Sequence, residues 1–490
     1  MTTATTAIQG GSTFDEPPVP STENLVDIPM VRWHLLASLS YLLIAMLAGL
    51  LYSLQFLQLY PFEMTELMSP GRWRMVHTNG VAYGFIANAF LGALHWAIPR
   101  LTMRPVLSAA LSRFIFFAWQ AVVLATVVGL LIGMAQAVEW GETPTFVDPV
   151  ALVGLVLVAV NFLAPIIRMK GPMYVSLWYF IAAFIWTVLV YAMGNFLPEY
   201  FVGGSASGAI IGLFIHDLVG LFVTPIGWGL MYYFVPIILK KPIWSHGLSL
   251  VGFWGLAFFY PLNGIHHFLY SPIPLFLQYG AVISTVAVEF VVATVIINFF
   301  GTLRNRGDAL RTNMPIRWFY IGMVFYFTTC LQCAMQVTLT FQKIIHFTDW
   351  VVGHAHLVMF GVFGFWILGI MTHLFPRLLG ASGWYRPGWN AWHFWMTGLS
   401  MLVMFFDLVF GGLVQGFSWR DLAPWEASLQ FSVPFWQVRT LAGIAMIAGQ
   451  FLFTANVWMT WRMAVAERRS SPAVHGGRST GFGGAHPAQG

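Results

Sequence analysis

The sequence predicts an all-α, polytopic integral membrane protein of about twelve transmembrane helices, and three observations carry that reading. Of its 490 residues only 8% are charged, against 58% hydrophobic and 17% aromatic, far from the roughly 25% charged residues of a soluble globular chain. Apolar runs of ~20 to 28 residues, each long enough to cross ~30 Å of hydrocarbon as a helix, recur about twelve times. The basic residues crowd into alternate connections between those runs. With a mean hydropathy of +0.74 the chain belongs in a bilayer, and nothing in its charge placement points to nucleic acid.

Taken in order, residues 1–28 are polar and rich in Ser, Thr and Pro, lack the apolar core of a cleavable signal peptide, and read as a disordered tail. Residues 29–465 form the transmembrane domain, with spans expected near 31–57, 75–99, 109–135, 147–167, 172–196, 206–238, 247–270, 275–300, 316–341, 348–375, 388–415 and 434–462. Residues 466–490, rich in Gly, Ser and Pro, read as a second disordered tail. Arg100 and Arg104, Arg168 and Lys170, Lys240 and Lys241, then Arg304, Arg306, Arg311 and Arg317, then Arg377, and last Arg462, Arg468 and Arg469 mark one side. That side is cytoplasmic by the positive-inside rule, which places both termini inside and the first, third and fifth connections outside.

Histidines acquire depths from this topology. His77 opens span two, His216 lies inside span six, His266 and His267 sit at the outer end of span seven, and His354 and His356 open span ten. Six histidines from four helices thus converge on the outer third of the membrane, where polar residues are costly and mark function. His354 and His356 are two residues apart on one helix, so they project about 200° from each other and cannot share an ion. They can each face a different flat macrocycle. One iron held from both faces, one held from a single face, and a third metal held by three imidazoles account for the set, with imidazole suiting iron or copper. The open position on the second iron faces the third metal, where a small diatomic ligand can be reduced.

Arg74-Met75-Val76-His77-Thr78-Asn79, Phe214-Ile215-His216-Asp217-Leu218-Val219-Gly220, Met231-Tyr232-Tyr233-Phe234-Val235-Pro236, Tyr260 with Gly264-Ile265-His266-His267, and the stretch Thr348 to His356 resemble subunit I of the haem-copper oxidases. Within that superfamily the chain is most similar to the cbb3-type (C-family) cytochrome c oxidases. The resemblance implies that His77 and His356 are axial to a low-spin haem b and His354 to a high-spin haem b. It likewise makes His216, His266 and His267 the ligands of copper B. It implies reduction of O2 to water with proton uptake, in the bacterial inner membrane. Tyr260, six residues before His266, matches the tyrosine that this family joins covalently to its helix-six histidine, here His216. Such a phenol supplies one electron and one proton when O2 is split.

Two departures keep a nitric oxide reductase, with non-haem iron in place of copper and NO in place of O2, as the alternative. Asp217 puts a carboxylate where the C-family usually has an amide, and Gln332 stands where it usually has a glutamate. An oxygen-rich shell favours iron. Against it, such reductases usually carry a glutamate four residues after the helix-six histidine, and here that residue is Gly220. Glu289, inside span eight, is a second intramembrane acid and a candidate for proton delivery.

Around the haems, Arg72, Arg74, His346 and Asp349 are expected partners of the propionates, and Glu139 matches a calcium-binding glutamate of the family. Cys330 and Cys333 lie one turn apart, and since Ala334 rather than His follows, no c-type haem attaches there. Electrons therefore come from a separate subunit bearing c-type haem or copper, docked on the outer face and fed by cytochrome c. Membrane lipid is a further expected partner.

Overall fold

The computed structural model describes residues 23–62 and 64–470. Twelve helices of membrane-crossing length follow one another, and no strand occurs among the described residues. They are α1 (Ile28–Phe56), α2 (Pro70–Thr102), α3 (Ala109–Leu131), α4 (Asp148–Ile167), α5 (Val175–Phe201), α6 (Gly204–Leu239), α7 (His246–Phe268), α8 (Leu275–Leu303), α9 (Met314–Gln336), α10 (Asp349–Leu379), α11 (Pro387–Arg420) and α12 (Trp425–Ser470). The expected all-α, twelve-span membrane fold is the one found.

Local chemistry sets the ends. Asp27, Ser108, Ser245, Asn313 and Thr348 each accept a backbone N–H with their side chain, at 3.1–3.3 Å, and so start α1, α3, α7, α9 and α10. Gly380, at φ 71°, stops α10. Several ends differ from the sequence expectation by five residues or more. Helix α2 begins at Pro70, whose fixed φ suits the first turn. Helix α9 stops at Gln336, and Leu339–Ile345 turns away as a separate short helix.

Helix α12 begins at Trp425 rather than near 434, because its polar first turns find partners on α11. Trp419 Nε1 donates to Ser428 Oγ at 3.2 Å, and Gln415 Nε2 to Ser432 Oγ at 3.1 Å. It also runs on to Ser470, past the expected domain end at 465. The remainder of both expected tails, 1–22 and 471–490, lies outside the described residues.

Helices α2 and α10 bury 89% of their most apolar stretch, α3 and α4 only 28%, so the first pair forms the centre and the second the rim. Phe114, Phe117, Ile283 and Phe290 are exposed around the outside while Trp228, Trp318 and Trp350 are fully buried. A bundle dressed this way has lipid for a neighbour, which makes it a multi-pass membrane protein. The four helices that carry the six histidines all leave α geometry beside them. Gly80–Ile86 in α2, Leu218–Val223 in α6 and Leu357–Gly364 in α10 are wide π turns, and Tyr260–Phe268 in α7 is a tight 3-10 stretch.

Candidate metal centre

Helix α6 and the 3-10 end of α7 bring His216, His266 and His267 together, with one ligand nitrogen from each within 4.8 Å of the others. Among the described residues this is the only group of three or more His, Cys, Asp or Glu able to close on one ion. His216 Nδ1 stands 3.2 Å from His267 Nε2, a separation that suits two imidazoles bonding one metal at about 2.0–2.1 Å. Thr285 on α8 gives its own hydrogen to Ala281 O, so its Oγ1 accepts from His266 Nδ1 at 2.8 Å. That fixes the tautomer and leaves His266 Nε2 buried without a partner. An orphaned lone pair costs free energy unless a metal takes it, so the triad fits a small metal ion.

Tyr260 lies flat against His216, ring centroids 4.8 Å apart and planes 14° from parallel. The room for it comes from Gly220, where a Cβ would stand 1.5 Å from Tyr260 Cε1. Asp217, next to His216, is buried with Oδ1 unpartnered. Glu289 is half-buried on α8, one turn beyond Thr285.

On the other side of the bundle centre, the His77 and His356 rings are 5.9 Å apart and 24° from parallel. Each donates Nδ1–H to a backbone carbonyl, His77 to Ala45 O at 2.7 Å and His356 to Val352 O at 2.8 Å. Nε2 is the nitrogen left to each for a metal. Helix α1 yields space for the His77 ring at Gly49, where a Cβ would stand 2.6 Å from His77 Nδ1. His354 points elsewhere, as two residues along a helix require. Trp350 stacks on it at 5.9 Å and 10°, its Nδ1 meets Gln332 Oε1 at 3.1 Å, and Cys333 Sγ lies 3.7 Å from its Nε2. His77, His216, His354 and His356 are each only part-buried within the bundle, and the near-parallel His77 and His356 rings leave room for an iron between their Nε2 atoms. Planar macrocycles fit this arrangement.

The expected propionate partners have different surroundings. Arg72 is committed to Glu66 Oε1 and Leu131 O, both at 2.7 Å. Arg74 reaches Glu142 Oε1 at 3.5 Å. His346 stacks on Phe347 at 4.0 Å, and burial holds its imidazole below the usual range, opposed by a hydrogen bond with the His267 backbone. Asp349 Oδ2 accepts from Gln415 Nε2 at 2.7 Å and Trp436 Nε1 at 2.8 Å, with Oδ1 3.6 Å from Arg439 Nη1. Glu139 is exposed. Three residues on, Glu142 is buried and accepts from Asn79 Nδ2 at 2.8 Å; burial pushes its carboxyl above the usual range while Asn79 and Arg74 pull it back.

Sequence reasoning missed Arg439. It lies inside α12 beside His356 and Asp349, 9% exposed, with Nε and Nη2 buried and unpartnered. Its signal was available, because an arginine within an apolar span marks function by default. Outside the set, His34 and His95 stack on each other, tied to Asn88 and Ser112, and His393 bonds Gln450.

Residues 29–445 match the family described as Cytochrome C and Quinol oxidase polypeptide I. The chain is 27% identical over 412 residues to cytochrome c oxidase subunit 1 of Rhodobacter capsulatus, covering 80% of this chain and 77% of that protein. It is 28% identical over 423 residues to the cbb3-type cytochrome c oxidase subunit CcoN1 of Stutzerimonas stutzeri, covering 83% and 89%. Its fold superposes on a haem-copper terminal oxidase dimer solved by cryo-electron microscopy with a TM-score of 0.73 at 14% identity, covering 89% of this chain and 84% of that one. With most of its length matched to the family and its fold shared with a terminal oxidase, the chain belongs to the haem-copper oxidases as their subunit I, an oxidoreductase of the membrane.

Proposed function

We propose that this chain is the catalytic subunit of a cbb3-like terminal cytochrome c oxidase of a bacterial inner membrane, reducing O2 to water with protons taken from the cytoplasm. Its electrons come from cytochrome c through a separate subunit bearing c-type haem or copper on the outer face. The observation that carries this reading is Tyr260 stacked on His216 in the space that Gly220 leaves. A phenol there can give an electron and a proton to the oxygen being cleaved. A glutamate at 220, as in the nitric oxide reductases, would drive its Cβ into that ring.

In this reading His77 and His356 hold the low-spin haem b, His354 the high-spin haem b, and His216, His266 and His267 copper B. Those groups supply the electron transfer and most of the reducing equivalents. The rest is the chain's own work. Thr285, Ala45 O and Val352 O fix which nitrogen each histidine presents. Arg439, paired with Asp349, and Arg74, paired with Glu142, would be the cations to hold the anionic propionates. Glu139, exposed on the outer loop, would be the residue to serve a calcium ion on that side.

Of the two departures, Asp217 is the one that bears on the triad's metal, because its buried Oδ1 is unpartnered beside His216, whereas Gln332 is bonded to His354. Elemental analysis and a pyridine haemochrome spectrum of the purified complex, followed by O2 and NO consumption, decide between the metals. One copper for two b-type haems with rapid O2 uptake is expected. One non-haem iron for two b-type haems, no copper and NO turnover would overturn the reading. His77→Ala is expected to remove the low-spin α-band from the reduced spectrum while the high-spin haem still binds CO. Loss of CO binding in place of the α-band would mean that the two haem sites have been exchanged.

A further inference from the structure

Four of the six metal-facing histidines are anchored through their second ring nitrogen, and all four anchors are neutral. Ala45 O, Val352 O and Thr285 Oγ1 serve His77, His356 and His266, and Gln332 Oε1 serves His354. Gln332, like Thr285, is a side chain on another helix, and it alone among the four is a side-chain amide, on α9 and only 7% exposed. A buried amide of this kind is costly unless it bonds. For Nε2 of His354 to face a metal, its Nδ1 must carry the hydrogen, so Gln332 turns its oxygen to the ring. Trp350, stacked at 10°, stops the ring from rotating out of that bond.

The chemistry of the acceptor then matters. A carboxylate would draw the Nδ1 proton and make the imidazole a stronger donor to iron, favouring the oxidised metal. An amide oxygen draws it far less and can never accept the proton outright. We infer that Gln332 is the positioning residue of the single-faced iron site: it sets the tautomer and restrains the donor strength of His354, holding the high-spin haem at a higher reduction potential than a carboxylate would allow. This rests on the reading of His354 as that haem's axial ligand.

The test uses the purified complex carrying Gln332→Glu or Gln332→Leu. It reads the iron–histidine stretching frequency of the ferrous high-spin haem by resonance Raman, and the midpoint potential of each haem by spectroelectrochemical titration. Gln332→Glu is expected to raise the frequency and to shift the high-spin reduction equilibrium about tenfold toward the oxidised form, about 59 mV for one electron. Gln332→Leu, which removes the acceptor, is expected to lower the frequency. The low-spin potential should stay in place in both. Wild-type frequency and potential in both variants, with full haem content, would overturn the proposal. His354→Ala separates the two levels of the argument. If that variant keeps the high-spin haem and its histidine stretch, the axial assignment itself has failed, whatever Gln332 does.

Discussion

Tyr260→Phe is expected to cut O2 reduction about a hundredfold or more while leaving both haems and the metal in place. The hydroxyl is the only atom removed, and positioned proton donors of this kind typically contribute 10²–10⁴-fold. The ring would still lie against His216, 4.8 Å away, and still occupy the space at Gly220, so the loss is chemical rather than structural. Steady-state O2 uptake, set beside haem and copper content on the same sample, makes the measurement. A variant with more than a third of wild-type turnover would remove Tyr260 from the reaction.

Gly220→Ala should have a comparable effect by the opposite route. Its Cβ would stand 1.5 Å from Tyr260 Cε1 and 2.0 Å from Cδ1, and the ring is pinned by His216 behind it. Either the ring or α6 must move, at a cost of about 1–3 kcal/mol for an overpacked interior. The expected result is a lower thermal midpoint and turnover near that of Tyr260→Phe. Adding Tyr260→Ala should lower the midpoint by less than the sum of the two single changes, without restoring activity, because the clash disappears together with the phenol while the missing ring leaves a cavity. Additive losses of stability in the double variant would show that the two residues do not meet.

The sequence made the twelve spans legible because each is a long apolar run, and it made the six histidines legible because topology gave them a common depth. What it could not show depends on contacts between spans. Arg439 reads as an isolated charge until α12 is seen to bring it beside Asp349 and His356. Glu139 and Glu142 share one loop, and only the turn of that loop buries Glu142 against Asn79 while leaving Glu139 exposed. Gln332 could be recognised as a departure, but its partner, His354, lies on another helix. The start of α12 was missed because Glu426, Ser428 and Ser432 look like a loop, and α11 supplies the partners that keep them helical.

The wide turns beside His77, His216 and His356 divide each of those helices into two rotational frames. Each such turn takes in one residue more than an ordinary one, which offsets everything beyond it by about 100°. The half that faces the metals and the half that packs deeper in the bundle can therefore change independently, provided the turn keeps its length. Removing a single residue from the turn in α6 would leave an unbroken apolar helix, still able to cross the bilayer, with His216 swung away from His266. For this chain a deletion that alters no ligand can be as damaging as the loss of one, because spacing is itself part of the site.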